Sequence, residues 1–181
     1  GHYYEWVWLL KKHARQVAEP AMYDVICFKL LDWANTYGWD TDFGGIYDEL
    51  DTEGKIITPT KRIWPFTEAI KANALMLKDH PLIKQERKQR IADMIKILKE
   101  KYIEERGFWT ERLNRDLTPA TDYMPGTTPY HVYFGIMETR DILRARGKSV
   151  SWMPAIYGFA YGLRRKLSLW VRSLRKAALT G

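Results

Sequence analysis

Two stretches of this chain are built alike, and their placement limits the fold more than any other feature. Gly45-Ile-Tyr-Asp-Glu-Leu-Asp-Thr-Glu-Gly54 and Gly107-Phe-Trp-Thr-Glu-Arg-Leu-Asn-Arg-Asp116 share a glycine, apolar and aromatic residues, a glutamate and a polar turn. Each reads as two short strands around a turn, or as an irregular hairpin. They separate pairs of segments with helical apolar spacing. A first helix is predicted from Tyr3 to Ala18, with Trp6, Leu9, Leu10, His13 and Val17 at helical spacing and Pro20 after it. A second, from Ala21 to Tyr37, carries Tyr23, Ile26, Cys27, Leu30 and Leu31 on one stripe and stops before Gly38. A third covers Phe66 to Lys78. The fourth, Ile83 to Glu105, groups Ile91, Met94, Ile95, Leu98 and Tyr102 and ends at Gly107. A fifth starts near Pro129 and ends before Gly147, and the tail forms a sixth. The repeating unit is therefore helix, short connection, helix, long loop. That period points to helical hairpins set in a ring or solenoid. A plain bundle is the alternative, but bundles favour short connections.

Composition narrows the class. The 181 residues, 46% hydrophobic and 28% charged, are enough for one domain with a real core. Eight Trp and eleven Tyr can pack that core, and they equally suit a pocket that stacks on sugar rings. One cysteine, Cys27, cannot form an internal disulfide, so a reducing, cytoplasmic setting is expected, with the thiol as a small buried hydrophobe. His2, His13, His80 and His131 are scattered and show no metal-ligand spacing, so no metal and no cofactor is expected. The net charge of +7 is misplaced as a clue. Nine Lys and Arg and no acidic residue follow Asp141, so the rest of the chain is slightly acidic and no nucleic-acid partner is expected for it. The run from Ser149 to Leu163 is too short for a membrane span and contains Pro154.

Three helix starts carry polar or ionisable groups. His2 and Glu5 are three apart, so both side chains can face one way, and an imidazole beside a carboxylate suits a general acid or base near neutral pH. The same spacing also fits a histidine beside a helix-capping glutamate. In Trp64-Pro65-Phe66-Thr67-Glu68, Pro65 suits a first helical turn and Glu68 would lie near the positive end of the helix dipole. Trp64 offers a flat face to a sugar, and Glu68 can accept hydroxyl hydrogen bonds. By itself this is also an ordinary capped start. Met124-Pro-Gly-Thr-Thr-Pro-Tyr130-His131 again puts a histidine in a first turn, where a core histidine bonded to backbone is the alternative. In a ring of hairpins with alternating connections, such starts point into one cleft.

In this order the motifs GHxxEWxWLL (Gly1 to Leu10), GG(I/L)xxxxDxxG (Gly44 to Gly54), WPxTEA (Trp64 to Ala69), GxWxE (Gly107 to Glu111) and YH (Tyr130-His131) resemble the N-acylglucosamine 2-epimerase superfamily, which includes cellobiose 2-epimerases and mannose isomerases. The likeness runs from Gly1 to about Arg146, and Thr127-Thr-Pro-Tyr-His131 looks closer to the mannose isomerase-like branch. The resemblance implies an all-α fold, a partial (α/α)6 toroid of helical hairpins with short irregular β-hairpin loops, and no metal. It implies His2 and His131 as acid and base on an open-chain aldose, through a cis-enediolate. Glu5 would orient His2 or bind hydroxyls, and Trp64 and Glu68 would line the sugar site. One departure is Phe134, three residues after the second histidine, where the family often has arginine. Residues 1–147 are expected to form the C-terminal half of the toroid, with an apolar edge covered by the missing half or by another copy of the chain. A non-catalytic carbohydrate-binding or assembly module is the competing function.

Residues 148–181 form a separate unit in this reading. Ile156, Phe159, Ala160, Leu163, Leu167, Trp170, Val171 and Leu174 make one apolar stripe, opposite Arg164, Arg165, Arg172, Arg175 and Lys176. Such a basic amphipathic helix can dock on the toroid, lie on an anionic membrane surface, or bind an anionic partner.

Overall fold

The computed structural model of the chain describes residues 1–79, 85–104, 108–121 and 123–144. Five helices account for most of them: α1 (His2–Gln16), α2 (Asp24–Tyr37), α3 (Ile63–Asp79), α4 (Gln85–Ile97) and α5 (Pro129–Arg144). Helix α3 packs on α1 and on α5, so α1, α3 and α5 form one layer in that order. Helix α2 lies on α1, and α4 lies on α3. Each helix of the first layer is followed by a return or a long loop, so all three begin at the same end. This is the expected arrangement of part of an (α/α)6 toroid. The tail unit predicted for 148–181 lies outside the described residues.

Layer position decides each helix's buried face. Helix α3, between two neighbours and under α4, is apolar nearly all round and buries Phe66, Ala69, Ile70, Ala72 and the run Ala74 to Leu77. It begins at Ile63, three residues earlier than predicted. Pro65 still falls in its first turn, where a missing N–H leaves no bond unmade. Helix α1 corrects the sequence reading more sharply. Its buried residues are Tyr4, Val7, Lys11 and Ala14, whereas Trp6, Leu9, His13 and Val17 are exposed. The cause is a charged residue in the core stripe. The Lys11 ammonium reaches the Asp24 carboxylate and the Pro20 carbonyl, each at 2.5 Å, so its stem can pack inside. Helix α2 begins at Asp24 instead of Ala21, because the amides of Met22 and Asp24 close turns onto Glu19 and Ala21. It buries Cys27, Leu31 and Ala34 and leaves Ile26 exposed.

The core stripe of α4 holds as predicted, with Ile91, Met94, Leu98 and Tyr102 buried. Its end does not. The chain widens into a π-helical turn, Leu98–Tyr102, with the Ile103 amide bonded to the Leu98 carbonyl at 3.0 Å. The Tyr102 hydroxyl then donates to the Lys61 carbonyl at 3.0 Å.

The loops are only half as predicted. In the first, β1 (Glu49–Leu50) pairs antiparallel with β2 (Ile56–Thr58) around a turn at Gly54, whose φ of +86° suits glycine. In the second, β4 (Arg112–Leu113) pairs with β3 (Lys61–Arg62), the segment that leads into α3. The second loop is therefore joined to the segment that leads into α3, and it also closes on itself irregularly, through antiparallel bridges of Ile103 with Trp109 and of Leu113 with Pro119. A buried lysine explains the joining. Lys61 Nζ donates to Asp40 Oδ2 at 2.9 Å and to the carbonyls of Gly44 (2.5 Å) and Arg115 (2.6 Å), so one cation satisfies groups from both loops.

Candidate functional site

The starts of α1, α3 and α5 converge on one indole. His2 is the first residue of α1, and its ring lies 5.2 Å from that of Trp64, the second residue of α3. His131, in the first turn of α5, lies 4.9 Å from the same ring on centroid distance. A Cβ on Gly1 would fall 2.2 Å from the Trp64 ring, so the approach of α1 to Trp64 needs a residue without a side chain there. His2 is exposed, while the His131 side chain is only 12% exposed and packs beside Tyr130, ring centroids 3.8 Å apart.

His131 carries the carboxylate contact of the site. Its Nδ1–H donates to Glu68 Oε1 at 3.0 Å, the direction assigned from the carboxylate being the acceptor. The other oxygen of Glu68 is 2.7 Å from Lys71 Nζ, off the angles of a hydrogen bond, so this pair is held mainly by charge. Lys71 Nζ also lies 3.9 Å from the centroid of the Trp8 ring on α1. Glu68 and Lys71 are both buried, which makes partners for their charges obligatory.

Two buried carboxylates place the helix starts. Asp48 accepts from the Arg62 amide (2.8 Å), Arg62 Nε (3.0 Å) and the Thr60 hydroxyl (2.6 Å), fixing the strand just before Trp64. Glu111 accepts from Trp109 Nε1 at 3.1 Å and from the Thr128 hydroxyl at 2.8 Å. Thr128 immediately precedes α5, and the Glu111 carbonyl takes the Ile63 amide at 3.0 Å. One residue thus ties the second loop to the starts of both α3 and α5. Burial pushes the Glu111 carboxyl up, opposed by the Trp109 and Thr128 hydrogen bonds and by Arg62 and Arg112.

A groove of about 280 Å³ runs beside His2 between α1, α2 and the first loop, lined in part by Tyr3, Trp33, Tyr47 and Asp48. Two imidazoles on one aromatic platform, with a groove alongside, can hold a flat polyhydroxylated molecule and move protons on it. Among the described residues no group of three or more His, Cys, Asp or Glu side chains is placed to hold a metal ion.

Of the residues singled out from sequence, His2, Trp64, Glu68 and His131 meet here. Glu5, expected to orient His2 or to bind hydroxyls, makes no hydrogen bond to His2 among the described residues, and its charge acts on Lys71 and Tyr130. Glu68 sits in the second turn of α3, so it owes its setting to His131 and Lys71 and not to the helix dipole. Sequence reasoning missed Lys71, because a lysine within a helix is normally a surface residue, and gave Glu111 no role. The signal for Lys71 was its i, i+3 spacing from Glu68 in a helix of mostly apolar residues.

Comparison with known proteins bears on the family and the fold. The family described as N-acylglucosamine 2-epimerase (GlcNAc 2-epimerase) matches residues 1–135. A mannose-6-phosphate isomerase of Rhizobium meliloti (strain 1021) is 26% identical over 146 residues, which is 80% of this chain and 38% of the relative. Among solved structures, a D-mannose isomerase is similar with a TM-score of 0.65 and 21% identity, over 80% of this chain and 36% of its own. The cellobiose 2-epimerase of Bacillus thermoamylovorans B4167 gives a TM-score of 0.73 at 14% identity, over 87% and 42% of the two chains. At these identities the structures speak for the fold, and the chain spans well under half the length of each relative.

Proposed function

The chain belongs to the N-acylglucosamine 2-epimerase family, and from that premise we propose that it contributes the acid/base end of a sugar epimerase or aldose–ketose isomerase. The observation that supports this reading best is the pair of imidazoles that both approach the Trp64 indole, one of them oriented by a buried carboxylate. In this mechanism one histidine removes the proton from C2 of an open-chain aldose. The C–H electron pair becomes the C1=C2 bond, and the carbonyl pair moves to O1, giving an enediolate. Return of a proton to the opposite face of C2 yields the 2-epimer. Delivery to C1, with one proton passing from O2 to O1, yields the ketose. His131, held through Nδ1, has Nε2 available for such a transfer, and exposed His2 is placed to exchange protons with solvent. Trp64 and Glu68 would line the sugar site.

The test is proton exchange in D2O, using mannose, glucose, N-acetylmannosamine and cellobiose with the protein at its full natural length. Deuterium should appear at C2 of at least one sugar. His131→Ala should lower exchange by two or more orders of magnitude, on the order of what a lost acid/base group removes, while sugar binding persists. Binding of sugars with no exchange in the native protein would replace this function with that of a carbohydrate-binding module.

A further inference from the structure

Lys71 is a buried charge that the proton-transfer scheme leaves unused. It stands in the middle of α3, 2% exposed, with its ammonium against Glu68 and over Trp8. The charged groups around it come from all three helices of the layer. Glu68 is on α3, Glu5 on α1 and Glu138 on α5, and all three favour the charged lysine. Lys12 of α1, the second cation near Trp8 at 5.7 Å, is taken up by Glu138 at 2.7 Å. Burial pulls the Lys71 ammonium below its usual range, and the three carboxylates pull it back.

The consequence falls on His131. A buried carboxylate 3.0 Å from an imidazole favours a proton on the ring, because the resulting ion pair is neutral overall. An imidazolium has no lone pair and cannot accept a proton. With Lys71 in place, the Glu68 charge is already partly compensated, which weakens the pull of that carboxylate on a proton at His131. We propose that Lys71 is the counter-ion that allows Glu68 to orient His131 through Nδ1 while leaving the ring neutral, with Nε2 open as a base. Lys71 is in this sense a positioning residue, and its role rests on the reading of His131 as a proton-transfer group.

The readout is the charge and tautomer of one ring, followed by 15N NMR of the histidine side chains at pH 7. In the native chain His131 should be neutral and protonated on Nδ1. Lys71→Met keeps the aliphatic stem against Trp8 and removes the charge. It should raise the imidazolium fraction of His131 by about threefold or more, in the direction expected when a neighbouring cation is lost. Combining it with Glu68→Gln should return the ring to neutral. A purely packing role for Lys71 would lower the melting temperature and leave the ring signals in place, and that result overturns the proposal. So does an imidazolium, or an Nε2–H tautomer, in the native chain, a measurement that needs no variant to fold. No sugar is turned over in these experiments. Absence of C2 exchange would therefore remove the proposed function without touching this result, and the reverse also holds.

Discussion

Gly135 sets how closely α5 can approach the core. It lies one turn after His131 on the same face of α5, and a Cβ there would fall 2.7 Å from Thr67 Cβ and 2.9 Å from the Thr67 carbonyl oxygen. Backbone cannot swing aside as a side-chain tip can, so Gly135→Ala must push α5 away from α3. The substitution should destabilise the fold by ~1–3 kcal/mol, as overpacking does, despite the better helix propensity of alanine. Urea midpoints of the two proteins measure it, and an unchanged or higher midpoint would refute the close contact. At this scale the sequence was readable where a residue's type and place agree: histidine and tryptophan at helix starts announced a polar cluster. It was misleading for lysines. Lys11, Lys61 and Lys71 are all buried, each by virtue of a carboxylate that only the fold supplies. Spacing paired His2 with Glu5, whereas the carboxylate that reaches an imidazole here lies 63 residues away, on Glu68.

The two loops are held to each other, and to the start of α3, by Asp40, Lys61 and Arg115. Asp40 is fully buried and accepts from Lys61 Nζ, from Arg115 Nε at 3.1 Å and from the amides of Asp42 and Phe43. Burial alone would raise its carboxyl. The lysine, the arginine and the two amides outweigh burial and hold it well below the usual aspartate range. A depressed acid contributes stability that is complete above its unfolded pKa and lost as pH falls through the folded one. Asp40→Asn should therefore lower stability at pH 7 by about 3–5 kcal/mol, since it leaves the Lys61 ammonium buried without its counter-charge. The gap between variant and native protein should narrow below about pH 4, where aspartate begins to protonate in the unfolded chain. Urea titrations at pH 7, 4 and 3 follow it; a gap that stays constant would show that Asp40 acts through shape alone. The irregular hairpin character of each loop was legible in its own sequence, but the tie between the loops was not. Strand β4 pairs with β3, some fifty residues earlier, and local spacing carries no trace of that partner.

Across the molecule, the alternation of helices and long loops was enough to predict hairpins in an arc, because the period alone places all odd helices in one layer with their starts together. It could not say which faces the arc leaves open. Helices α1 and α2 present Trp6 (53% exposed), Leu9, Val25 (72%) and Ile26, and α5 presents Tyr130 and Phe134. Among the described residues, only α3 of the layer α1, α3, α5 has a layer neighbour on both sides. The outer sides of α1 and α5 are those a closed toroid would cover with further hairpins. Apolar surface of this kind marks an interface more often than a solvent face. The described chain should therefore associate, either with further hairpins of a longer polypeptide or with a second copy of itself. Sedimentation velocity of the 181-residue chain across the micromolar range should show a concentration-dependent oligomer. Trp6→Glu, which puts a charge on the open side of α1 without disturbing a buried contact, should weaken association at least tenfold, about 1.4 kcal/mol. A chain that stays monomeric throughout, and is unaffected by that substitution, would mean that the exposed rings face water and that the arc is stable without closure.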